Sequence, residues 1–464
     1  MARTAKKEKV LTTEEKLEQA LVPETEQPYK VPENWCWCKL GNLCDFERGI
    51  TFPAIAKEIE PSTTNIPCLR TANIQDELKI DDLIYVDTSF IKGNAEKLSR
   101  VEDIIMSSAN SRELVGKVSY VSFLPFPMTF GGFVLTIRAK KISSKYLFYF
   151  LRFEFLMGKF MSESAQTTNI ANINTKKLAA YSFPLPPIAE QQRIVDRIES
   201  LFAKLDEAKE KAQSVVDGFE NRKAAILHKA FTGELTAEWR KNNLASGGHW
   251  VKKRLGDCGK WMGGGTPSKA HPEYWDNGDI LWVTSKDMKS DLIEDTQLHT
   301  NMLGVNNSST TYIEKPSILF VMRSGILRHT LPIAVVKTPF TVNQDLKALS
   351  PDNIDIDYLF WACESEEKHI LDNCMKNGTT VESINATALM NFEIAIAPVE
   401  EQPIIVSMIV SGLHKEQQAK EAAEQVIDKI DIMKKSILAR AFRGELGTNA
   451  PADEPAEELL KRVL

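Results

Sequence analysis

The chain is poor in the residues that build metal centres and disulfide frameworks. Its 464 residues include seven histidines, scattered singly, and seven cysteines. The cysteines (Cys36, Cys38, Cys44, Cys68, Cys258, Cys363 and Cys374) form no pair of CxxC motifs, which argues against structural zinc and a disulfide scaffold and for reduced thiols. Long apolar runs are missing too. No stretch approaches about 18 apolar residues, and the opening MARTAKKEKV has no hydrophobic segment behind its lysines, so neither a membrane span nor a signal peptide is expected, and the expected compartment is the cytoplasm. Catalytic signatures are also absent: no HExxH, no GxSxG, no GxGxxG opening a helix after a strand, and no Asn/Asp-Pro-Pro-Tyr/Phe stretch of amino-methylating enzymes. Residues 263–269 (GGGTPSK) lack the spacing and closing Gly-Lys-Ser/Thr of a phosphate-binding P-loop. The chain alone is therefore expected to catalyse nothing and to carry no metal or cofactor.

What is present is a duplication. Residues 187–235 reappear as residues 398–446 without a gap, with about 22 of 49 positions identical. Both copies open on PxxEQxxIV (Pro187, Glu190, Gln191, Ile194, Val195; Pro398, Glu401, Gln402, Ile405, Val406) and close on AFxGEL (Ala230 and Phe231; Ala441 and Phe442). The match continues faintly upstream, where Ile173, Asn174 and Leu178 fall on Ile384, Asn385 and Leu389. Each half also begins alike, Trp35 with Leu40 and Gly41 echoing Trp250 with Leu255 and Gly256. Between these ends lie about 120 residues per half with almost no shared identity, so a copied frame carries two diverged inserts.

The repeated block has the three-four apolar spacing of a long amphipathic helix, through Val195, Ile198, Phe202, Leu205, Ala212, Val216, Phe219, Ile226 and Ala230. The second copy keeps the stripe with polar entries at Glu416, Lys420 and Lys434, and has Pro403 where the first has Gln192. Proline stands just before each helix and glycine (Gly233, Gly444) just after it. Roughly 40 helical residues at about 1.5 Å each give a rod near 60 Å. A lone rod cannot hide its stripe, so the two copies are expected to pair, antiparallel because a globular insert separates them. Residues 12–15 (TTEE) read as a capped helix start running to Leu21 and residues 457–464 as another short amphipathic piece, with the two placed side by side.

The formal charge of -6 argues against a polyanion partner until its distribution is considered. Residues 104–153 carry Arg112, Lys117, Arg138, Lys140, Lys141, Lys145 and Arg152 against Glu113 alone, and residues 318–347 carry Arg323, Arg328, Lys337 and Lys347 against Asp345 alone. Both inserts show short β-branched runs and then a helical pattern, at residues 144–155 and 356–365, and read as mixed α/β domains. In the second insert residues 318–322 and 332–336 read as strands and 338–344 as a loop. In the first, residues 103–106 and 117–121 read as strands, 107–112 and 127–132 as loops. The loops are rich in side chains that read a duplex: Arg forks onto guanine, Asn and Gln pair with adenine, and Ser, Thr and Lys reach phosphates. Candidates in the first insert are Arg48, Arg70, Thr71, Asn73, Ser108, Asn110, Arg112, Lys117, Lys140, Lys141, Thr168 and Asn169. In the second they are Lys260, Thr266, Lys269, Thr284, Ser285, Lys286, Arg323, Ser324, Arg328, Asn343 and Gln344.

Together the paired PxxEQxxIV openings, the paired AFxGEL closings, Thr236 to Arg240 (TAEWR), Gly264 to Pro267 (GGTP) and Asn343 to Asp345 (NQD) resemble the specificity subunit of Type I restriction-modification systems. The resemblance covers nearly the whole chain from about Val31. It implies an N-terminal extension (1–30), a first target-recognition domain (31–186), a helical spacer (187–248), a second target-recognition domain (249–397) and a second spacer with tail (398–464), the spacers pairing as an antiparallel coiled coil about a pseudo-two-fold axis. It further implies that the chain reads a bipartite, asymmetric sequence in double-stranded DNA. Such subunits have no active site of their own. They join two modification subunits, which use S-adenosylmethionine, and restriction subunits, which use ATP and magnesium. The competing expectation is a coiled-coil adaptor whose inserts bind protein, which a gel shift with random duplex at low salt separates from the first.

Overall fold

The computed structural model describes residues 12–163, 165–167, 170–243, 249–376 and 381–464, with side chains described outside residues 162–170. The principal elements of the first half are α1 (Thr13–Ala20), β1 (Cys36–Lys39), β2 (Cys44–Arg48), β3 (Asn65–Leu69), β4 (Ile84–Asp87), β5 (Ile104–Ser107), β6 (Val118–Tyr120), β7 (Thr129–Phe130), β8 (Val134–Ala139), α2 (Ser144–Leu156), β9 (Ser182–Leu185), α3 (Ile188–Asp217) and α4 (Phe219–Phe231). The second half follows with α5 (Ala237–Asn243), β10 (Val251–Arg254), β11 (Gly259–Gly263), β12 (Ile280–Val283), β13 (His299–Thr300), β14 (Ser317–Val321), β15 (Ile333–Val336), β16 (Phe340–Val342), β17 (Leu346–Pro351), α6 (Ile356–Ser365), β18 (Glu393–Ile396), α7 (Gln402–Phe442) and α8 (Ala456–Val463). The mixed α/β character expected of the chain holds. Besides Ala109–Asn110, a short strand inside the expected loop 107–112, two segments expected to be loops contain short strands, β7 and β16. Each adds in parallel to a neighbour (β3 and β12), and each is fully buried; runs of two and three residues are too short to show a period of two in sequence.

Three sheets of the two inserts share one topology, and a further small sheet of Ala109–Asn110, Ala165–Thr167 and Ile170–Asn172 in the first has no counterpart sheet among the described residues of the second. In the first, β2-β8-β5-β6 form an antiparallel sheet, β4-β3-β7 a second sheet, and β1-β9 an antiparallel pair. In the second, β11-β17-β14-β15, β13-β12-β16 and β10-β18 repeat that order strand for strand. The fold asks only for short apolar runs at the right intervals, as in β5 and β14, which are buried throughout. Identity can therefore vanish while topology stays.

Spatially the chain divides into two compact units, residues 1–211 with 425–464 and residues 212–424. Each unit thus owns the start of one long helix and the end of the other. The repeated motifs are the joints of this exchange. In the first unit Gln191, just inside α3, accepts from the Ser143 amide (2.8 Å) and donates to the Pro186 carbonyl (3.0 Å). In the second, Gln402 accepts from the Asp355 amide (2.8 Å) and donates to the Ala397 carbonyl (2.9 Å). Tyr146 of α2 donates to the Pro184 carbonyl (3.0 Å) and Tyr358 of α6 to the Ala395 carbonyl (2.9 Å). The closing phenylalanines land on these tyrosines: Phe442 against Tyr146, Phe150 and Phe153, and Phe231 against Tyr358. Gly444 and Gly233 follow with φ of +72° and +77°, the left-handed turn that lets the chain leave the helix.

The motif glutamates are both fully buried and differ in what satisfies them. Glu190 takes hydrogen bonds from Trp35 Nε1 (2.7 Å), Asn449 Nδ2 (2.9 Å) and Thr448 Oγ1 (3.2 Å). Glu401 takes them from Trp250 Nε1 (3.1 Å), Thr236 Oγ1 (2.6 Å) and the Arg240 guanidinium (2.7 Å). Burial opposes ionisation of Glu401, but the bonds from Arg240 and Thr236 prevail and hold its carboxyl below the ordinary glutamate value.

Within each unit the long helices run antiparallel. In the first, Lys209 pairs with Asp431 (3.4 Å) and Asp206 with Lys434 (2.5 Å), so numbers rise on α3 as they fall on α7. In the second, Arg222 of α4 pairs with Glu416 (2.5 Å), and Lys420 lies 5.0 Å over the Phe219 ring. The three polar entries in the α7 stripe are thereby all partnered, since Lys434 also sits 5.1 Å over Phe202. The expectation of one unbroken helix in the first copy needs correction: α3 and α4 meet at Gly218, while α7 is continuous over 41 residues despite Pro403, which falls in its first turn where a missing N–H costs little. At the break the Arg222 side chain folds back over Gly218, donating to the Val215 carbonyl (2.7 Å), and any Cβ on residue 218 would collide with it.

In the first unit α1 opens with a capping box between Thr12 and Glu15 and lies against α8, with Lys16 Nζ reaching the Leu464 carbonyl at 3.4 Å. All seven cysteines are buried and unpaired; burial pushes the Cys68 thiol up to about 12 and Cys258 to about 11, so they serve packing. Among the described residues no helix is long and apolar enough to cross a membrane.

Candidate nucleic-acid interface

Four connections carry most of the candidate side chains of the second insert, and the corresponding connections carry most of those of the first, except that the one after β7 (Gly131, Gly132, Phe133) holds none. They follow β2, β3, β5 and β7 in the first unit and β11, β12, β14 and β16 in the second. The turn after β3 is closed by the Arg70 amide on Asn73 Oδ1 (2.8 Å), and the turn after β12 by the Thr284 amide on Asp287 Oδ2 (2.9 Å), the same three-residue span. After β5 the Ser108 carbonyl accepts from the Ile173 amide, and after β14 the Met322 carbonyl accepts from the Ile384 amide. Short Asx and Ser/Thr turns of this kind hold a loop rigid while leaving other side chains outward.

In the second unit Lys269, Thr284, Ser285, Lys286 and Asn343 converge on one cavity of about 260 Å³. Lys286 is exposed at its rim, Lys269 lies 5.8 Å over the Trp282 ring, and Thr284 Oγ1 bonds Asp287 (2.7 Å). Thr266 donates to Gln344 (2.9 Å), tying the loop after β11 to the loop after β16. On the loop after β14, Ser324 caps a short turn, Arg323 is exposed without a side-chain partner among the described residues, and Arg328 pairs with Glu382, which lowers that carboxyl's pKa. In the first unit Arg70 and Thr71 line a cavity of about 390 Å³ with Thr51, Lys57 and Phe133. Arg70 is held by Asp82 (2.9 Å), and Arg48 donates to Thr175 (3.2 Å). Arg112 is exposed, without a partner among the described residues, and Asn110 is half-buried beside Ser107 (3.1 Å).

Other candidates serve the fold in this structure. Asn73 is buried, bonded to the Arg70 amide and the Asp82 carbonyl, Ser108 is buried, and Lys117 donates to Gln75 (2.5 Å). Lys140 and Lys141 sit apart from the four loops, Lys140 on Asp45 (2.5 Å) and Lys141 on the Arg462 carbonyl (2.7 Å) of α8. Lys260 stands on β11, away from the loops. Thr168 and Asn169 lie outside the described residues. The basic surplus counted along the first insert is largely neutralised in space: Arg138 meets Asp103 (2.9 Å), Lys145 meets Glu199 (2.8 Å) and Arg152 meets Asp76 (3.0 Å). Lys57, Phe133, Asp287 and Gln297 join the cavities without any signal in the sequence, because loops carry no periodicity. Among the described residues no group of three His, Cys, Asp or Glu side chains is placed to hold a metal ion.

The model of a family described as "Type I restriction modification DNA specificity domain" matches residues 32–215 and 248–426. The specificity subunit of the Type I restriction enzyme EcoR124I/EcoR124II of Escherichia coli is 39% identical over 192 residues, which span 39% of this chain and 48% of that protein. The EcoKI specificity subunit of Escherichia coli K12 is 24% identical over 444 residues, 92% of each chain. Among solved structures, the HsdS subunit from Thermoanaerobacter tengcongensis superimposes with a TM-score of 0.59 at 19% identity, covering 91% of this chain and all of that one. A chain from a study of complex assembly and conformational transition of the type I R-M system gives 0.62 at 18% identity, covering 90% and 100%.

Proposed function

This chain belongs to the Type I restriction-modification DNA specificity family, and from that membership we propose that it reads a split sequence in double-stranded DNA, one part with each insert. The observation that carries the reading is that two inserts with almost no shared identity keep the strand order of three sheets and present different Arg, Lys, Ser, Thr, Asn and Gln side chains from corresponding loops. A fold held constant under changing loops is how a reader changes its text without changing its posture on the duplex. Because the two sets of side chains differ, the target is asymmetric. Arg70, Thr71 and Arg112 in the first unit, with Lys269, Ser285, Lys286, Arg323 and Gln344 in the second, are the side chains best placed to do it.

The chain supplies specificity and assembly, and its partners supply chemistry. Two modification subunits methylate adenine with S-adenosylmethionine, and restriction subunits translocate and cut with ATP and magnesium, in the cytoplasm. The test is sequencing of adenine methylation in cells carrying this chain with its modification partner. The expected result is one motif of two unlike parts around an unread gap. A palindromic or uninterrupted motif, or methylation that ignores sequence, overturns the reading.

A further inference from the structure

The two units differ at one place where their frames should agree. In the first, the face of β1 and β9 is covered by α1 and α8: Ala20, Ala456, Leu459 and Leu460 share one core with Cys36, Cys38, Cys44, Ile142 and Leu185. The residues at the matching positions of the second unit follow from strand register, Cys36 opposite Leu185 in one and Val251 opposite Ile396 in the other. They are also marked by a shared left-handed residue, Lys141 (φ 54°) and Asn353 (φ 56°). There Val251, Lys253, Gly259, Ile354 and Ile396 line an open groove of about 1080 Å³ with Val399 on its rim. Cys36 is 6% exposed and its counterpart Val251 55%, while Val399, like its counterpart Ile188 at 44%, is exposed at the rim.

The chain has no length to fill this groove as it fills the other. The covering helix α8 has eight residues and follows the end of the second frame, but only six residues separate the end of α5 from Trp250. Helix α5 is itself committed through Arg240 to the Glu401 latch. The far end of the groove also differs in charge. Where the first unit has Lys140 on Asp45 and Lys141 on the Arg462 carbonyl of α8, the second has Asp352 and Asn353, with Lys260 at the position of Asp45 and Lys253 at that of Cys38. The lysine that caps the last turn of α8 is thus replaced by Asn353, and cations in the last turn of a docked helix, as Lys461 and Arg462 are in α8, offset that loss.

We propose that this groove takes a short amphipathic helix from a partner protein, one that presents a small residue and two leucines in the spacing of Ala456, Leu459 and Leu460 and a basic last turn. The groove shares no residue with the loops after β12, β14 and β16, so this proposal and the DNA reading stand or fall separately.

A labelled peptide of residues 453–464 (DEPAEELLKRVL), titrated into the full chain and followed by anisotropy, tests the fit. One saturable site per chain is expected. The doubly substituted chain Val251→Asp, Val399→Asp, altered only at exposed positions, should weaken it at least about tenfold, because a carboxylate buried under the helix loses its water. A peptide with Leu459→Glu and Leu460→Glu should bind no such site. Absence of saturable binding, or binding that the groove substitutions leave unmoved, overturns the proposal. Self-association of the chain that those same substitutions abolish would also overturn it, by making a second copy the occupant.

Discussion

The two buried glutamates, Glu190 and Glu401, occupy the same place in a duplicated frame and are satisfied in different ways. Glu190 is held by neutral donors from Trp35, Thr448 and Asn449, and Glu401 by Trp250, Thr236 and a guanidinium. The difference teaches what the motif specifies. It demands a buried acceptor facing the tryptophan that opens the insert, and it leaves the rest of the shell to whichever tail reaches it. The tails are not copies of one another, and each finds its own donors.

Substitutions at the joints should separate the two units, beginning with the phenylalanines. Phe442→Ala removes a fully buried ring that touches three aromatic side chains and should cost its unit about 4 kcal/mol. Phe231 is only half-buried, so Phe231→Ala should cost about half as much in the other unit. Hydrogen exchange resolved by segment reads the two losses separately, and equal losses would refute the asymmetry. Next, Glu401→Ala strands a guanidinium and an indole N–H and should cost about 3 kcal/mol. Glu190→Ala leaves only neutral donors unpaired and should cost about 1–2 kcal/mol.

Acid should sharpen the same contrast. A carboxyl whose folded pKa is lowered stabilises the fold fully above its unfolded value of about 4.3 and loses that contribution as pH falls through the lower folded value. The Glu401 contribution to residues 212–424 should therefore begin to fall as pH drops below about 4.3 and disappear only below the lowered folded value, and Glu401→Gln should flatten the acid dependence of that unit's unfolding. An unchanged acid profile in the variant would place the sensitivity elsewhere.

Smaller effects probe the loops and the helix break. Arg323→Ala should alter base preference in one part of the target and cost about 1–3 kcal/mol there, whereas Lys286→Ala should weaken binding across sequences and reduce the salt slope by about one. Methylation motifs and salt titrations of the two variants distinguish base reading from phosphate contact; identical effects would leave no such division of labour. Gly218→Ala should change stability by less than about 0.5 kcal/mol, because the helical gain of about 0.5–1 kcal/mol from replacing glycine is offset by displacing Arg222 from the Val215 carbonyl and Glu416. With Arg222→Ala already in place, the glycine replacement should show its full gain in thermal unfolding.

Much of the frame was legible because it is written twice. The spacing of Pro187, Glu190 and Gln191 against Pro398, Glu401 and Gln402 announced a shared structural task, and the apolar stripe announced two helices that needed each other. Counting charge along the chain was less reliable. Arg138, Lys145 and Arg152 look like a basic surplus only until Asp103, Glu199 and Asp76 arrive from distant segments. The loops were legible only as a composition, since which of their side chains are outward depends on turns closed by hydrogen bonds such as that of Asn73.

By itself the sequence determined the duplication, the long helical stretch of each copy and where it starts and stops, though not the break at Gly218, because periodicity, glycine and proline act over a few residues and need no distant partner. The tertiary structure alone decided that each helix begins in one compact unit and ends in the other, that Glu190 and Glu401 are latched by different donors, and that one groove is filled while its counterpart is open. Those outcomes depend on which segments meet across hundreds of residues, and meeting is settled by packing and chain length, which no local pattern records.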